Sequence, residues 1–169
     1  FGIMGIHEYT VGMKTLADAF ALRNRIIEML ERADIEENAD AREAELTFVI
    51  GGAGFSGVET AGEIQDFVRR VRRRYYPKIG DDATAFHLVE VKDRVLPEMP
   101  DDMGECAARK LRRRGFRLHL NTPIKAACEG GVMIGEGTFI PSRTVIWTGG
   151  VQPSPAVADP IPAGGKSVS

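Results

Sequence analysis

Cysteine is scarce in this chain. Its 169 residues hold only Cys106 and Cys128, with no C-x-x-C pair and no metal-ligand spacing. No metal site is expected, and two isolated thiols point to a reducing compartment. An excess of either charge is also missing. Lysine and arginine number 22 against 24 acidic residues, a formal net charge of −2. That balance supplies no general attraction to nucleic acid or to an anionic membrane. No apolar run approaches the ~20 residues of a membrane-spanning helix, and no signal peptide opens the sequence. These absences indicate a cytoplasmic protein. An initiating methionine is lacking too, since residue 1 is Phe1, so a fragment of something longer is expected. What remains is ordinary for a globular protein, with 43% hydrophobic and 27% charged residues. The length suits one domain, or one domain with a tail.

The most informative stretch runs from residue 46 to residue 63. A short apolar run, Phe48-Val49-Ile50, flows into Gly52-Ala53-Gly54-Phe55-Ser56-Gly57. This is G-x-G-x-x-G placed after a strand and opening a helix, the context in which the motif cradles a dinucleotide. Gly52 lets the chain turn sharply off the strand. Gly54, without a Cβ, lets a pyrophosphate approach the backbone. Gly57 lets the new helix sit close against the strand. The helix then directs its free N–H groups and positive dipole end at the phosphates.

Around this motif the elements follow from periodicity and punctuation. Residues 1–13 read as a strand and loop entering the domain. A helix is predicted over 14–38, with Leu16, Phe20, Ile27 and Leu30 on one face and Ala19, Ile26 and Ala33 beside them. Residues 38–44 read as a polar connector. The helix after the glycines is predicted over 55–74, with Val58, Ala61, Ile64, Val68 and Val71 as its core stripe. It ends in the basic run Arg69-Arg70-Val71-Arg72-Arg73-Arg74, read as solvated surface complementing the helix dipole. No nucleic-acid partner is inferred from it, because no stacking aromatics interleave the cations. Residues 85–90 form the next predicted strand, and Glu90 stands at its carboxyl end. A carboxylate there accepts hydrogen bonds from the adenosine ribose hydroxyls and repels a 2′-phosphate, which favours NAD over NADP. His87 within the strand reads as a packed histidine. Asp102 is the expected N-cap of a helix reaching Arg114, with Met103, Cys106, Ala107, Lys110 and Leu111 along its inner face. Residues 116–120 follow as a strand, and its His119 has no evident partner.

A crossover helix is then expected, yet residues 124–128, 132–134 and 138–140 read as short β pieces separated by Gly130-Gly131 and Gly135-Glu136-Gly137. They predict an antiparallel meander as the crossover. Residues 144–147 return as the last parallel strand, and Thr148-Gly149-Gly150 follows at its carboxyl end. Ligands of open α/β sheets bind at that edge. The fold class is therefore α/β: a Rossmann-like parallel sheet flanked by helices, with a three-stranded antiparallel β-meander crossover. Residues 1–155 make the NAD(H)-binding domain. Residues 156–169 make a flexible tail or the start of a return to a further domain.

Four stretches carry a resemblance: K-T-L-A-D-A-F-A-L-R-N-R (14–25), F-V-I-G-G-A-G-F-S-G-V-E-T-A-G-E (48–63), L-V-E-V-K-D-R-V-L-P (88–97) and V-I-W-T-G-G-V (145–151). They resemble the NAD(H)-binding domain of the FAD-dependent pyridine nucleotide-disulfide oxidoreductase superfamily, most of all its type II NADH dehydrogenases, the NADH:quinone oxidoreductases. The resemblance implies that NADH passes hydride to FAD and that electrons continue to a quinone. It also implies that Gly52, Ala53, Gly54, Phe55, Ser56 and Gly57 hold the pyrophosphate and Glu90 the ribose. Glu59 would lie near the nicotinamide, and Thr148, Gly149 and Gly150 would line the groove. A carboxylate at Glu59 also suits the early turns of a helix, whatever its ligand role.

The departures are equally specific. Only one G-x-G-x-x-G is present, so FAD is expected in the parent protein and not in this fragment. Neither the FAD-binding glycine loop nor a redox C-x4-C pair occurs. The isolated piece is then inactive, because hydride has no acceptor. Its expected partners are its own FAD domain, a quinone as the parent's acceptor, and a second copy in a homodimer; a peripheral site on the cytoplasmic face of the membrane suits the parent. Sulfide:quinone, ferredoxin and coenzyme A-disulfide reductases remain open as alternatives, as does a non-catalytic NAD-sensing module.

Overall fold

The computed structural model describes residues 3–149. In chain order these are α1 (Ile6–Tyr9), β1 (Val11–Gly12), α2 (Leu16–Ile35), α3 (Ala39–Leu46), β2 (Thr47–Gly51), α4 (Phe55–Tyr75), β3 (Ala85–Val89), α5 (Asp101–Arg113), β4 (Phe116–His119), β5 (Ile124–Cys128), β6 (Gly131–Ile134), β7 (Thr138–Pro141) and β8 (Thr144–Trp147). Five strands form a parallel sheet in the order β1-β8-β2-β3-β4, and β5-β6-β7 form a separate antiparallel sheet.

Alternation along β2 explains the layering. Successive side chains point to opposite faces, and every residue of β2 is buried. Phe48 and Ile50 enter a core with Leu22, Ile26 and Leu30 of α2, Ala61, Ile64 and Val68 of α4, and Ala108 and Leu111 of α5. Val49 enters a second core with Val132, Ile134 and Ile140 of the meander and with Val89 and Val145. Helices thus cover one face of the sheet, and the meander covers part of the other. The α/β class and the meander crossover are as the sequence predicts.

Several local expectations need correction. Residues 1–13 contain more than a strand and loop: α1 precedes the two-residue edge strand β1. The predicted connector at 38–44 is mostly helix α3, whose N-cap Asn38 accepts a 2.9 Å bond from the Ala41 N–H. The inner face of α2 is Leu22, Ile26, Met29, Leu30 and Ala33. Leu16 and Phe20 are 73% and 50% exposed, because the first turns of α2 lie beyond the cover of the core. Its start is fixed by a capping box between Thr15 and Asp18.

Helix α5 is capped by Pro100, not Asp102; Asp101 and Asp102 sit in its first turn, where carboxylates suit the dipole. Its buried residues are Gly104, Ala108 and Leu111, whereas Met103 and Lys110 are exposed and Cys106 and Ala107 half-buried. The rotation has a cause. A Cβ at Gly104 would lie 2.5 Å from the Val95 carbonyl oxygen, so the glycine face is the one that can press against the 93–99 loop.

The basic run is not all solvated. Arg72 is 5% exposed and donates to the Ile79 carbonyl and to Asp81, pinning the turn after α4. His119 does have a partner: its Nε2 lies 2.9 Å from His87 Nδ1, with the two rings stacked.

Candidate dinucleotide groove

Strand β2 ends at Gly51, and the chain must reverse into α4 within three residues. Gly52 does so at φ +102°, a left-handed conformation that glycine adopts without penalty. Its N–H donates to the Val89 carbonyl at 2.8 Å, tying the turn to the end of β3. Gly57 then lies on the inner side of the first helical turn. A Cβ there would fall 1.9 Å from the Gly52 carbonyl oxygen, so the helix reaches this depth only through glycine. Gly54 differs. A Cβ on it would meet only the Glu98 carboxylate, at 3.6 Å. Its freedom serves no packing within the protein and leaves the loop open to a ligand. The Gly54 N-cap offers no side chain to the α4 N-terminus, whose first N–H groups lack intrahelical acceptors and suit an anion.

A groove of about 610 Å³ opens at this edge of the sheet. Gly52, Gly54, Phe55, Ser56 and Gly57 form one wall, Val89 to Lys92 the floor at the end of β3, and Trp147, Thr148 and Gly149 the wall at the end of β8. Pro97, Glu98 and Met99 overhang it from the following loop. Thr148 belongs structurally to the glycine turn: its Oγ1 donates 2.9 Å to the Gly51 carbonyl. Trp147 is wedged between glycines, since a Cβ on either Gly51 or Gly149 would come within 2.8 Å of its ring.

Glu90 is 8% exposed yet lines the groove. Its Oε2 accepts 2.6 Å from the Ala53 N–H and its Oε1 accepts 2.9 Å from the Lys92 N–H. One carboxylate therefore joins the glycine loop to the end of β3. Each oxygen keeps a lone pair for a further donor, such as a ribose hydroxyl. Ala53 itself is fully buried beneath the loop, and its carbonyl accepts from the Leu96 N–H at 2.8 Å.

The structure thus brings Gly52, Gly54, Phe55, Ser56, Gly57, Glu90, Thr148 and Gly149 around one groove, with Ala53 beneath it. Glu59 stands apart: it is exposed one turn into α4 and does not line the groove. Gly150 lies outside the described residues. Among the lining residues that sequence reasoning did not assign are Lys92, Trp147 and Glu98. Lys92 could have been flagged by its place two residues after Glu90, and Trp147 by its place before Thr148. Nothing local marks Glu98, which reaches the groove only through the fold of the 93–99 loop. Among the described residues no group of histidine, cysteine and carboxylate side chains could hold a metal ion.

The sequence matches the family described as pyridine nucleotide-disulphide oxidoreductase over residues 1–166. The chain belongs to this family. Among its oxidoreductase relatives is the type II NADH:quinone oxidoreductase NdhA of Mycobacterium tuberculosis, 33% identical over 159 residues. That match covers 92% of this chain and 34% of NdhA. The external alternative NADH-ubiquinone oxidoreductase of Yarrowia lipolytica mitochondria is 29% identical, over 94% of this chain and 28% of its own length. This chain therefore spans about a third of the length of the curated relatives it matches. In the solved structure of NDH2 from Plasmodium falciparum in complex with NADH, the matching region has a TM-score of 0.82 at 19% identity, over 89% of this chain and 32% of that one. That likeness establishes the shared fold.

Proposed function

We propose that this chain is the NADH-binding domain of a flavoprotein oxidoreductase that passes hydride from NADH to FAD and electrons onward to a quinone. The observation that carries the reading is Gly54: a glycine with no packing role, at an uncapped helix N-terminus, above a groove floored by a buried carboxylate. A pyrophosphate fits a backbone so exposed, and a ribose hydroxyl fits Glu90. The relatives' names support NADH as the donor and quinone as the acceptor.

Bound NADH supplies a hydride from its nicotinamide ring. The chain's own residues bind and orient it. The α4 N-terminus and residues 52–57 hold the diphosphate, Glu90 takes the adenosine ribose, and Thr148 with Gly149 leaves room beside Trp147 for the remainder. The chain's one glycine loop suits one dinucleotide. FAD then belongs to another part of the protein, and residues 1–155 act as the nucleotide half. Glu59, outside the groove in this structure, is read as near the nicotinamide only by resemblance, and Gly150 as a further groove residue on the same ground. Among the described residues no helix is long and apolar enough to cross a membrane. The whole protein is read as peripheral on the cytoplasmic face of the membrane, where a quinone would be met, and a second copy of the chain is its further proposed partner.

The test uses Trp147, the single tryptophan of the sequence. NADH and NADPH are titrated against its fluorescence, with calorimetry in parallel. Saturable binding, tighter for NADH, is the expected result. Failure of both nucleotides to bind at millimolar concentration would overturn the assignment.

A further inference from the structure

Glu98 stands where the ligand's negative charge would go. Its Oε2 lies 3.6 Å from the position a Cβ on Gly54 would take, over the glycine that leaves the loop open. Its Oε1 lies 3.3 Å from Lys92 Nζ, and both residues line the groove. The position is built by the loop. One Arg94 nitrogen donates to the carbonyls of Pro97 at 2.9 Å and Met99 at 3.0 Å, the residues flanking Glu98. Leu96 adopts φ +52° and donates its N–H to Ala53. A left-handed leucine is strained backbone that the surroundings must hold. The loop is thus folded so that a carboxylate hangs over the anion seat at the start of α4.

On the reading that this groove holds a dinucleotide, we propose that Glu98 is a built-in competitor for the diphosphate seat, and that Lys92 exchanges Glu98 for a phosphate oxygen when the nucleotide binds. Here Lys92 is paired with Glu98 at the groove, and the carboxylate shares the field of the α4 N-terminus. An entering diphosphate meets that carboxylate as a like charge and Lys92 as an opposite one. The pair is largely solvent-exposed, at 56% and 64% of the side chains, so little energy holds it together and exchange is facile. Its consequence is deliberate weakening. The nucleotide must displace or tolerate a negative charge a few ångströms away, so NADH is held less tightly than the glycine loop alone would hold it.

Equilibrium binding of NADH to the purified protein tests this, with wild type beside Glu98→Gln, Glu98→Ala and Lys92→Gln. Removing one like charge near 4 Å in a largely aqueous setting corresponds to about a fivefold change in affinity. Both Glu98 variants are expected to bind NADH at least about threefold tighter, and Lys92→Gln to bind it more weakly. Melting temperatures of the Glu98 variants stay within a degree or two of wild type, because the side chain is exposed. The proposal is overturned if wild type binds NADH and either Glu98 variant gains less than threefold, or if Lys92→Gln leaves affinity unchanged or raises it. Binding by the Glu98 variants alone supports both the competitor and the dinucleotide assignment. No binding by any of the four proteins overturns both.

Discussion

The Glu90 carboxylate accepts the Ala53 N–H at 2.6 Å through one oxygen and the Lys92 N–H at 2.9 Å through the other. This single buried side chain ties the glycine turn to the end of the neighbouring strand. Its place at the end of β3 therefore has a structural use besides any contact with ribose.

Glu90→Gln separates little in shape but much in hydrogen bonding. An amide offers one acceptor oxygen and turns its NH2 toward the other backbone N–H. One buried donor then loses its acceptor, which costs about 1–3 kcal/mol. Denaturant unfolding should register that loss. NADH affinity should fall about tenfold, the equivalent of about 1.4 kcal/mol. NADPH should lose less, since the carboxylate no longer repels its 2′-phosphate, so the preference between the two narrows. An unchanged preference would remove Glu90 from nucleotide discrimination.

Two alanine substitutions three residues apart should behave oppositely. At Gly57 the new Cβ would sit 1.9 Å from the Gly52 carbonyl oxygen, so α4 must move off the turn. Overpacking of this kind costs about 1–3 kcal/mol, and Gly57→Ala should melt earlier. At Gly54 the backbone has φ −70°, which alanine adopts readily, and the only neighbour is the movable Glu98 side chain. Gly54→Ala should melt like wild type yet bind NADH at least tenfold more weakly. Equal binding by Gly54→Ala and wild type would mean that no phosphate approaches this backbone.

Much of this architecture is legible in the sequence because its signals are local. The turn glycines at 130–131 and 135–137 bracket strands found at 124–128, 131–134 and 138–141. The motif at 52–57 carries its own strand and helix. Helix faces are less legible. Periodicity reveals that α2 and α5 have an inner face, but not how far the core extends or which side can approach closest. Leu16 and Phe20 overhang the core, and α5 turns its Gly104 side inward because a bare backbone can press on Val95. Helix α3 escapes notice because its eight residues carry little apolar pattern beyond Ala44 and Leu46. The groove's floor and glycine wall follow from the motif, whereas Glu98 arrives through a left-handed Leu96 and an Arg94 clamp. Those contacts are tertiary and leave no spacing rule behind.

The arginines of the α4 C-terminus should separate into two classes. Arg72 is buried and donates to Ile79 and Asp81. Replacing it with methionine keeps much of the packing but strands the Ile79 carbonyl. Loss of a buried hydrogen bond to a charged donor costs about 1.5–3 kcal/mol. Arg70 and Arg74 are exposed, and alanine at either should alter stability by less than about 0.5 kcal/mol. Chemical denaturation of the three single variants decides the matter. Equal effects at all three would return Arg72 to the solvated surface.

Acid stability should depend on the histidine pair. His87 is 6% exposed, with Nδ1 2.9 Å from His119 Nε2 and Nε2 3.5 Å from an Arg117 nitrogen. Burial pushes His87 from 6.5 down to about 4, with His119 and Arg117 opposing its protonation further. His119 is lowered too, by burial and then by Arg117. Both rings are therefore neutral in the folded protein at neutral pH. The network has Arg117 donating to His87 Nε2 and His87 Nδ1–H donating to His119. On unfolding, His87 regains its ordinary affinity for a proton. Between about pH 6.5 and pH 4 the unfolded chain binds more protons than the folded one, so stability falls as pH falls through that window. Well above pH 6.5 both states leave His87 neutral and its contribution is constant. The loss accumulated by pH 4 is on the order of 3 kcal/mol. His87→Gln retains a polar side chain that does not titrate, so urea unfolding of this variant should show a shallower decline from pH 7 to pH 4 than wild type. Parallel curves for the two proteins would mean that His87 binds protons equally in the folded and unfolded states, contrary to its burial against Arg117.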